Sequence, residues 1–242
     1  MWSVFFTAMN TDVYPHCLAS TNLSYHQRIA FGHGLSVQDG HEWHDLLEPF
    51  AAKTSLPVMK IPTNSSPLAS NILSTVNAVI KRQTTSGFPF DAYAYLVSEL
   101  TDNIIQHAGT DHGWITMQRY QEQGFMDIAL MDCGKTILTS YREYTGPKDF
   151  SDIQDHASAV QRAVTGWSSK NRPRSERGFG LSTSLRILVD GLQAGFILAS
   201  GDAIFVDGGD IVSMPVSLPG TLIHLRLPLE TPHGFSLYNL LE

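Results

Sequence analysis

The chain has 242 residues, with 16 Lys and Arg against 23 Asp and Glu, so its formal net charge is −7. Proteins that bind nucleic acid by neutralising many phosphates carry clustered basic side chains, and this acidic balance argues against such a partner. A hydrophobic fraction of 43% with only 16% charged residues excludes global disorder. The length fits one large domain with a smaller appendage.

Cysteine content and hydropathy indicate the compartment. Cys17 and Cys133 lie far apart and belong to no CxxC pair, which is typical of a reducing environment. The first ten residues are apolar but lack the basic residues of a signal peptide. No stretch approaches the roughly 20 apolar residues of a membrane-spanning helix. We therefore expect a soluble, cytoplasmic protein without a membrane partner.

The N-terminal quarter carries few structural signals. Residues 1–55 hold short apolar runs and scattered glycines, so we expect a segment of unknown role there. Residues 56–62 predict a short strand. Capping side chains before Pro67 predict the start of a helix, because Pro is favoured at the first helical turn. Its apolar positions recur at helical spacing: Leu68, Ile72, Val76, Val79 and Ile80.

The next predicted helix, Ala92 to Ala108, is strongly amphipathic. One arc at 100° per residue is apolar: Tyr93, Val97, Leu100, Ile104 and Ala108. Another face is polar: Glu99, Asn103, Gln106 and His107. The pattern predicts that one face enters the core while the other carries functional side chains.

Strands and loops alternate in the remainder. Residues 114–120 and 125–131 predict a hairpin, which is followed by the loop Asp132-Cys133-Gly134. Residues 141–177 form a long polar connection with one short helix near 155–164, and such connections are usually functional. Gly178-Phe179-Gly180 opens another helix. Three further strands are predicted at 193–200, 203–206 and 221–227, with a turn at 207–210.

Four motifs follow one another along the chain: Glu99-Leu-Thr-Asp-Asn103-Ile-Ile-Gln-His107, Asp132-Cys-Gly134, Arg177-Gly-Phe-Gly-Leu181 and the late strand with Gly220-Thr221. In this order they resemble the GHKL ATPase superfamily. The resemblance covers residues 56–230, is closest in style to anti-sigma-factor serine-protein kinases, and leaves 231–242 as a C-terminal tail. It implies an α+β, two-layer sandwich of the Bergerat type. The sheet would be mixed but mostly antiparallel, with helices on one face and a long ATP lid.

The resemblance also implies a site for ATP and Mg²⁺. Glu99 would activate the attacking group, and Asn103 would hold Mg²⁺, with Glu99 contributing through water; oxygen ligands suit this hard cation. Asp132 and Gly134 would contact adenine, supported by Thr221, and His107 would play a supporting role. The phosphates would meet the glycine motif, whose members are Arg177, Gly178, Phe179, Gly180 and Leu181, because backbone N–H groups at a helix start can face phosphate oxygens. Lys170, Arg172 and Arg174 lie just before it.

The expected activity is transfer of the γ-phosphate of ATP to a Ser or Thr of a small regulatory protein, which is a substrate or an antagonist; a homodimer is also compatible. Three alternatives remain open: ATP hydrolysis that drives a conformational change, ATP binding without turnover, and autophosphorylation of His44 within His44-Asp-Leu-Leu-Glu-Pro49. A P-loop at Gly134-Lys135-Thr136 is disfavoured because Ala129 stands where its first glycine is required. Thr136 also replaces the second glycine of the superfamily's DxGxG.

Overall fold

The computed structural model describes residues 45, 47–165, 180–207 and 209–241, and the structural statements below concern these residues. Five strands are present: β1 (Ser55–Pro62), β2 (His112–Tyr120), β3 (Phe125–Met131), β4 (Gly195–Val206) and β5 (Ile211–Pro228). Six α-helices accompany them: α1 (Ser66–Gln83), α2 (Phe90–His107), α3 (Ile137–Arg142), α4 (His156–Val164), α5 (Gly180–Leu185) and α6 (Leu237–Leu241). A π-helical segment, Arg186–Gly191, directly continues α5.

The strands form one sheet in the order β1-β2-β3-β5-β4. All four neighbouring pairs are antiparallel, so the described part of the chain is α+β but lacks the parallel component of the expected mixed sheet. The predicted hairpin at β2 and β3 is confirmed, with Tyr120 opposite Phe125 and Trp114 opposite Met131. The turn at 207–210 joins β4 to β5, and Asp207 adopts a positive φ of 48° there.

The two long helices form where the apolar periodicity predicts them. In α1 the buried positions are Ala69, Ile72, Val76, Val79 and Ile80, and in α2 they include Tyr93, Leu96, Val97, Leu100 and Ile104. This spacing gives each helix one continuous apolar stripe, which packs against the sheet. This packing fixes the direction in which the other faces of α1 and α2 point.

The two faces of the sheet belong to separate hydrophobic clusters. The helix-bearing face packs against α1 and α2 through alternate strand residues such as Ile115, Ile128 and Leu225. The opposite side, which we call the second face, consists of Val58, Trp114, Ala129, Met131, Ala199, Leu218 and Leu222. Since side chains alternate along a strand, neighbouring residues such as Leu130 and Met131 enter different clusters.

Two predictions about the C-terminal half are wrong in detail. The segments 193–200 and 203–206 form one strand, β4, because Gly201 with a φ of 62° accommodates the shift in register between them. Strand β5 begins at Ile211, ten residues before the predicted start at Thr221. Helix α3 was not predicted; it has only six residues and starts at Thr136, whose side chain accepts a hydrogen bond from the Thr139 N–H.

Both segments flanking the predicted domain contact it. Leu47 is fully buried in the core, and Glu48 forms a two-pronged ion pair with Arg82 at the end of α1. At the other end, Arg186 donates to the Leu240 carbonyl in α6. The described domain therefore extends beyond 56–230 on both sides.

Within the described ranges, every helix falls short of the length and apolar character needed to cross a bilayer.

Candidate functional site

Asp132 is a buried carboxylic acid at the end of β3. The residue is only 3% exposed, and one carboxyl oxygen accepts a hydrogen bond from the Gly134 N–H at 2.9 Å. Its backbone N–H donates to the Thr221 carbonyl at 3.0 Å, and the Thr221 backbone donates to the carboxyl group in return. Burial raises the pKa of Asp132 to about 7, because these donors offset only part of the cost of removing a carboxylate from water.

Two glycines fit closely around this loop. A Cβ on Gly220, whose φ is 68°, would lie 2.3 Å from both the backbone oxygen and the Oδ1 atom of Asp132. A Cβ on Gly134 would lie 1.7 Å from the Ala108 carbonyl oxygen. Neither contact is sterically possible, so both positions require glycine. The motifs at 132–134 and 220–221, which are far apart in sequence, are therefore in direct contact.

The residues that depart from the DxGxG pattern connect the Asp132 loop to its surroundings. The Lys135 N–H donates to the Ala108 carbonyl at 2.7 Å, which attaches the loop to the C-terminal end of α2. The Lys135 ammonium pairs with Glu143 at 2.5 Å, and Thr136 caps α3. Thr136, at the second glycine position of the pattern, and the preceding Lys135 thus both take structural roles.

Ser200 is a residue of this region that the sequence did not indicate. Its fully buried hydroxyl donates to the Gly220 carbonyl at 2.9 Å and accepts from the Ile137 N–H at 3.0 Å. The same oxygen lies 3.4 Å from the Thr221 hydroxyl. Because Ser200 joins three separate chain segments in the fold, no local pattern could have identified it.

A stripe of polar residues runs along α2 at intervals of four: Tyr95, Glu99, Asn103 and His107. All four are half-buried, whereas Gln106, predicted on the same face, is exposed. The Asn103 Nδ2 atom is buried and has no hydrogen-bond partner within the described ranges. Burial and the nearby charge of Glu99 raise the pKa of Tyr95 to about 12. Tyr95 is a further member that its spacing from Glu99 could have revealed.

The stripe and the Asp132 loop belong to the same side of the sheet. Strand alternation places Asp132 and Thr221 on the helix-bearing face, where Leu130 and Ile223 pack. The loop is attached at Ala108, so Asn103 and Glu99 lie about 7.5 Å and about 13.5 Å further along the helix axis. The structure therefore brings four predicted residues of three motifs to the same side of the sheet: Glu99, Asn103, Asp132 and Thr221.

The glycine motif is described only in part. Gly180 begins α5, which contacts α2, and Leu181 packs against the core. Arg177, Gly178 and Phe179 lie outside the described residues, as do Lys170, Arg172 and Arg174 of the preceding basic cluster and His44 of the histidine-kinase alternative.

The described residues can hold a magnesium ion only with help from a ligand. They contain no group of three or more His, Cys, Asp or Glu side chains suited to a metal. Mg²⁺ is often bound by one or two protein oxygens together with substrate phosphates and water. Asn103 and Glu99, which lie one turn apart on α2, carry oxygen atoms of the type that such a site uses. Cys133 carries no sign of activation, because burial raises its pKa to about 11.

Comparisons with known proteins leave the family open. No protein-family model matches the chain, and neither the curated proteins nor the solved structures contain a match.

Proposed function

We propose that this chain binds Mg-ATP in a GHKL-type site and transfers the γ-phosphate to a Ser or Thr of a small regulatory protein. One observation carries the nucleotide part of the proposal: the contact between the buried Asp132 and the Gly220-Thr221 segment of β5. The phosphotransfer part is supported by Glu99 and Asn103 on one stripe of α2 and by the motif resemblance.

Adenine recognition is supported by the chemistry of the Asp132 loop. A carboxylate is a strong acceptor for an exocyclic amino group, and a charge-assisted hydrogen bond of this kind is stronger than a neutral one. Gly220 allows backbone to approach the carboxyl group closely, and Gly134 allows the loop to approach Ala108. Asp132 is 3% exposed, so we expect binding to require movement of the residues that cover it.

The phosphate part of the proposal depends on α2. With adenine near Asp132, the phosphates would extend along the stripe toward Asn103 and Glu99. The Asn103 oxygen would hold Mg²⁺, while its Nδ2 group, which is buried and has no partner among the described residues, would donate to a phosphate or a water. Catalysis would come mainly from positioning and charge neutralisation, with Glu99 activating the hydroxyl of the partner.

Calorimetric titration with Mg-ATP tests the binding site. We expect Asp132→Ala and Asn103→Ala to weaken binding about 10- to 100-fold, as loss of a hydrogen bond to a charged group implies. Asp127→Asn is the matched control, because Asp127 lies on the same strand but pairs with Arg226 instead. Wild-type affinity in both site variants, with intact circular dichroism, would show that the site assignment is wrong.

Incubation with γ-labelled ATP tests the reaction. Small proteins encoded next to this chain are the first acceptors to test, because partner-switching kinases tend to be encoded next to their substrates. We expect labelled Ser or Thr on that protein and loss of the label with Glu99→Gln. Release of free phosphate alone would favour ATP hydrolysis. If wild type and Glu99→Gln both bind ATP without turnover, a nucleotide-responsive module is favoured. Label on His44 would favour the histidine-kinase alternative.

A further inference from the structure

Ser200 and Asp132 bind opposite ends of the same peptide group. This peptide group joins Gly220 to Thr221 in β5. Its carbonyl oxygen, which belongs to Gly220, accepts a hydrogen bond from the Ser200 hydroxyl at 2.9 Å. Its N–H, which belongs to Thr221, donates to the Asp132 carboxyl group. Because a peptide group is planar, the hydrogen bond that holds its carbonyl also fixes the direction of its N–H.

The direction of each Ser200 hydrogen bond follows from its partner. The Ile137 N–H, 3.0 Å from the Ser200 Oγ atom, can only donate, and the Gly220 carbonyl can only accept. The single hydroxyl proton of Ser200 is therefore used at Gly220. A continuous set of hydrogen bonds, which we call the Ser200 network, thus leads from the start of α3 to the base site: Ile137, Ser200, Gly220, Thr221 and Asp132.

The Ser200 network acts on the charge of Asp132. Hydrogen bonds that follow one another polarise and strengthen each other, so the bond at Gly220 makes the Thr221 N–H a better donor. This N–H is one of two backbone donors to the carboxyl group, and the other is the Gly134 N–H at 2.9 Å. Burial raises the pKa of Asp132, and both donors lower it because they favour the charged form.

We propose that Ser200 is a positioning residue for base recognition, which keeps Asp132 able to accept a hydrogen bond from an amino group of the base. This role rests on the nucleotide site proposed above. Ser200 acts through the Gly220–Thr221 peptide group rather than by touching the ligand. Since its other partner is the first N–H of α3, the base site is also linked to the segment that begins with this helix.

The ionisable groups around the Ser200 network remain when Ser200 is replaced. On the adjoining helices, loop and strand β4 they are His107, Cys133, Lys135, Glu143, His156 and Asp202. The ionisable residues of β3 and β5 pair with one another: Asp127, His224 and Arg226. Lys135 pairs with Glu143, and burial and the charge of Asp132 raise the pKa of Cys133. A change in the Asp132 titration on replacement of Ser200 therefore reports the hydrogen bonds.

Titration of the Asp132 carboxyl carbon by NMR tests the Ser200 network without a nucleotide. The full chain is labelled with ¹³C at the aspartate carboxyl groups, and Asp132→Asn identifies the signal. Weakening one hydrogen bond to a charged group should raise the pKa of Asp132 in Ser200→Ala from about 7 by about one pH unit. Thr116→Val is the matched control, because the buried Thr116 hydroxyl donates to the Leu56 carbonyl at 3.0 Å on the far side of β3. Its loss should leave the Asp132 titration unchanged.

Calorimetric titration with Mg-ATP at pH 7 and pH 9 tests the role in base recognition. A pKa that rises by about one pH unit lowers the ionised fraction of Asp132 at pH 7 from about one half to about one eleventh, so the affinity of Ser200→Ala should fall about fivefold. At pH 9 the carboxyl group is ionised in both proteins, and their affinities should agree within about 1.5-fold. Thr116→Val should bind as wild type does at both pH values.

Ser200→Cys keeps the test decisive if Ser200→Ala does not fold. A thiol is a weaker donor and acceptor than a hydroxyl, so the same changes should appear with smaller size. An unchanged Asp132 titration in a folded Ser200 variant would overturn the inference, and so would an equal change in Thr116→Val. Equal loss of affinity at pH 7 and pH 9 would also overturn it, because that result indicates a general structural role.

Failure of the nucleotide site itself gives a different result. A wild-type chain that does not bind ATP would show that the proposed site is wrong, and the role of Ser200 in base recognition would fall with it. The carboxyl titration would still decide whether Ser200 acts on Asp132, because that measurement uses the protein alone.

Discussion

Replacement of Asp132 by asparagine should change how the stability of the protein depends on pH. The carboxyl group is 3% exposed, and burial raises its pKa to about 7, from 3.8 for an unperturbed carboxyl. The folded chain therefore holds a proton that the unfolded chain releases at lower pH. This group stabilises the fold fully below pH 3.8, and its contribution falls as the pH rises toward 7. Asparagine keeps the acceptor for the Gly134 N–H and does not ionise.

The magnitude follows from the two pKa values. A change from 3.8 to about 7 corresponds to roughly 4 kcal/mol of folding free energy over the full titration. Between pH 5 and pH 8, roughly 2.5 kcal/mol of this amount is lost in the wild-type protein. The free energy of unfolding of Asp132→Asn should therefore rise relative to wild type by about that amount across this range.

Urea denaturation at pH 5, 6, 7 and 8 measures this difference. Other titrating groups are common to both proteins and cancel in the comparison. Asp149→Asn is the control, because hydrogen bonds from Ser151 lower the pKa of this exposed carboxyl and both its folded and unfolded forms are ionised above pH 5. Its difference from wild type should stay constant. If the free energies of unfolding of wild type and Asp132→Asn change with pH in the same way, the Asp132 carboxyl is not desolvated, contrary to the structure.

Three further predictions concern other features. If an adenine amino group donates to the Asp132 carboxylate, ATP affinity should rise with pH through about 7 and binding should release protons, which calorimetry in buffers of different ionisation enthalpy detects. Gly220→Ala should destabilise the fold by several kcal/mol in urea denaturation, since its Cβ would lie 2.3 Å from Asp132 Oδ1. Gly124→Ala, which has a similar φ of 75° but no atom within 4 Å of the added Cβ, should cost only about 1 kcal/mol. Hydrogen bonds from Arg226 and His224 lower the pKa of Asp127 to about 2, so its contribution to folding stability is present above pH 3.8 and is lost as the pH falls toward 2. Because Arg226 is half exposed, solvent screening limits this contribution to about 1 to 2 kcal/mol. The acid unfolding of wild type and Asp127→Asn should differ by that amount.

Local patterns were sufficient for the elements whose periodicity is complete. Helix α2 lies within two residues of its predicted bounds, and the β2–β3 hairpin follows its alternation. The early part of β5 was missed because Pro215 and Pro219 interrupt its pattern, and proline disfavours a central strand. The structure tolerates them because Pro215 is exposed and the pairing with β4 is irregular between 213 and 218.

Local sequence patterns predicted less of the candidate site than of the fold. Spacing alone placed Glu99, Asn103 and His107 on one helix face. The contact between Asp132 and Thr221 was expected only through the family resemblance, because 88 intervening residues separate them in the sequence. Ser200 and the close approach of Gly220 arise from the pairing of β4 with β5 and of β5 with β3. Such contacts depend on long-range register, which a single sequence does not specify.

The hydrogen bond between Lys135 and Ala108 joins the Asp132 loop to the end of α2. If a nucleotide binds as proposed, its base and its phosphates contact the two ends of one helical stretch, from Ala108 back to Glu99. The length of that stretch then determines how long a ligand must be to contact both ends. An adenine nucleotide with fewer phosphates could occupy the Asp132 end without reaching Glu99, so the helix would distinguish nucleotides by length as well as by their base.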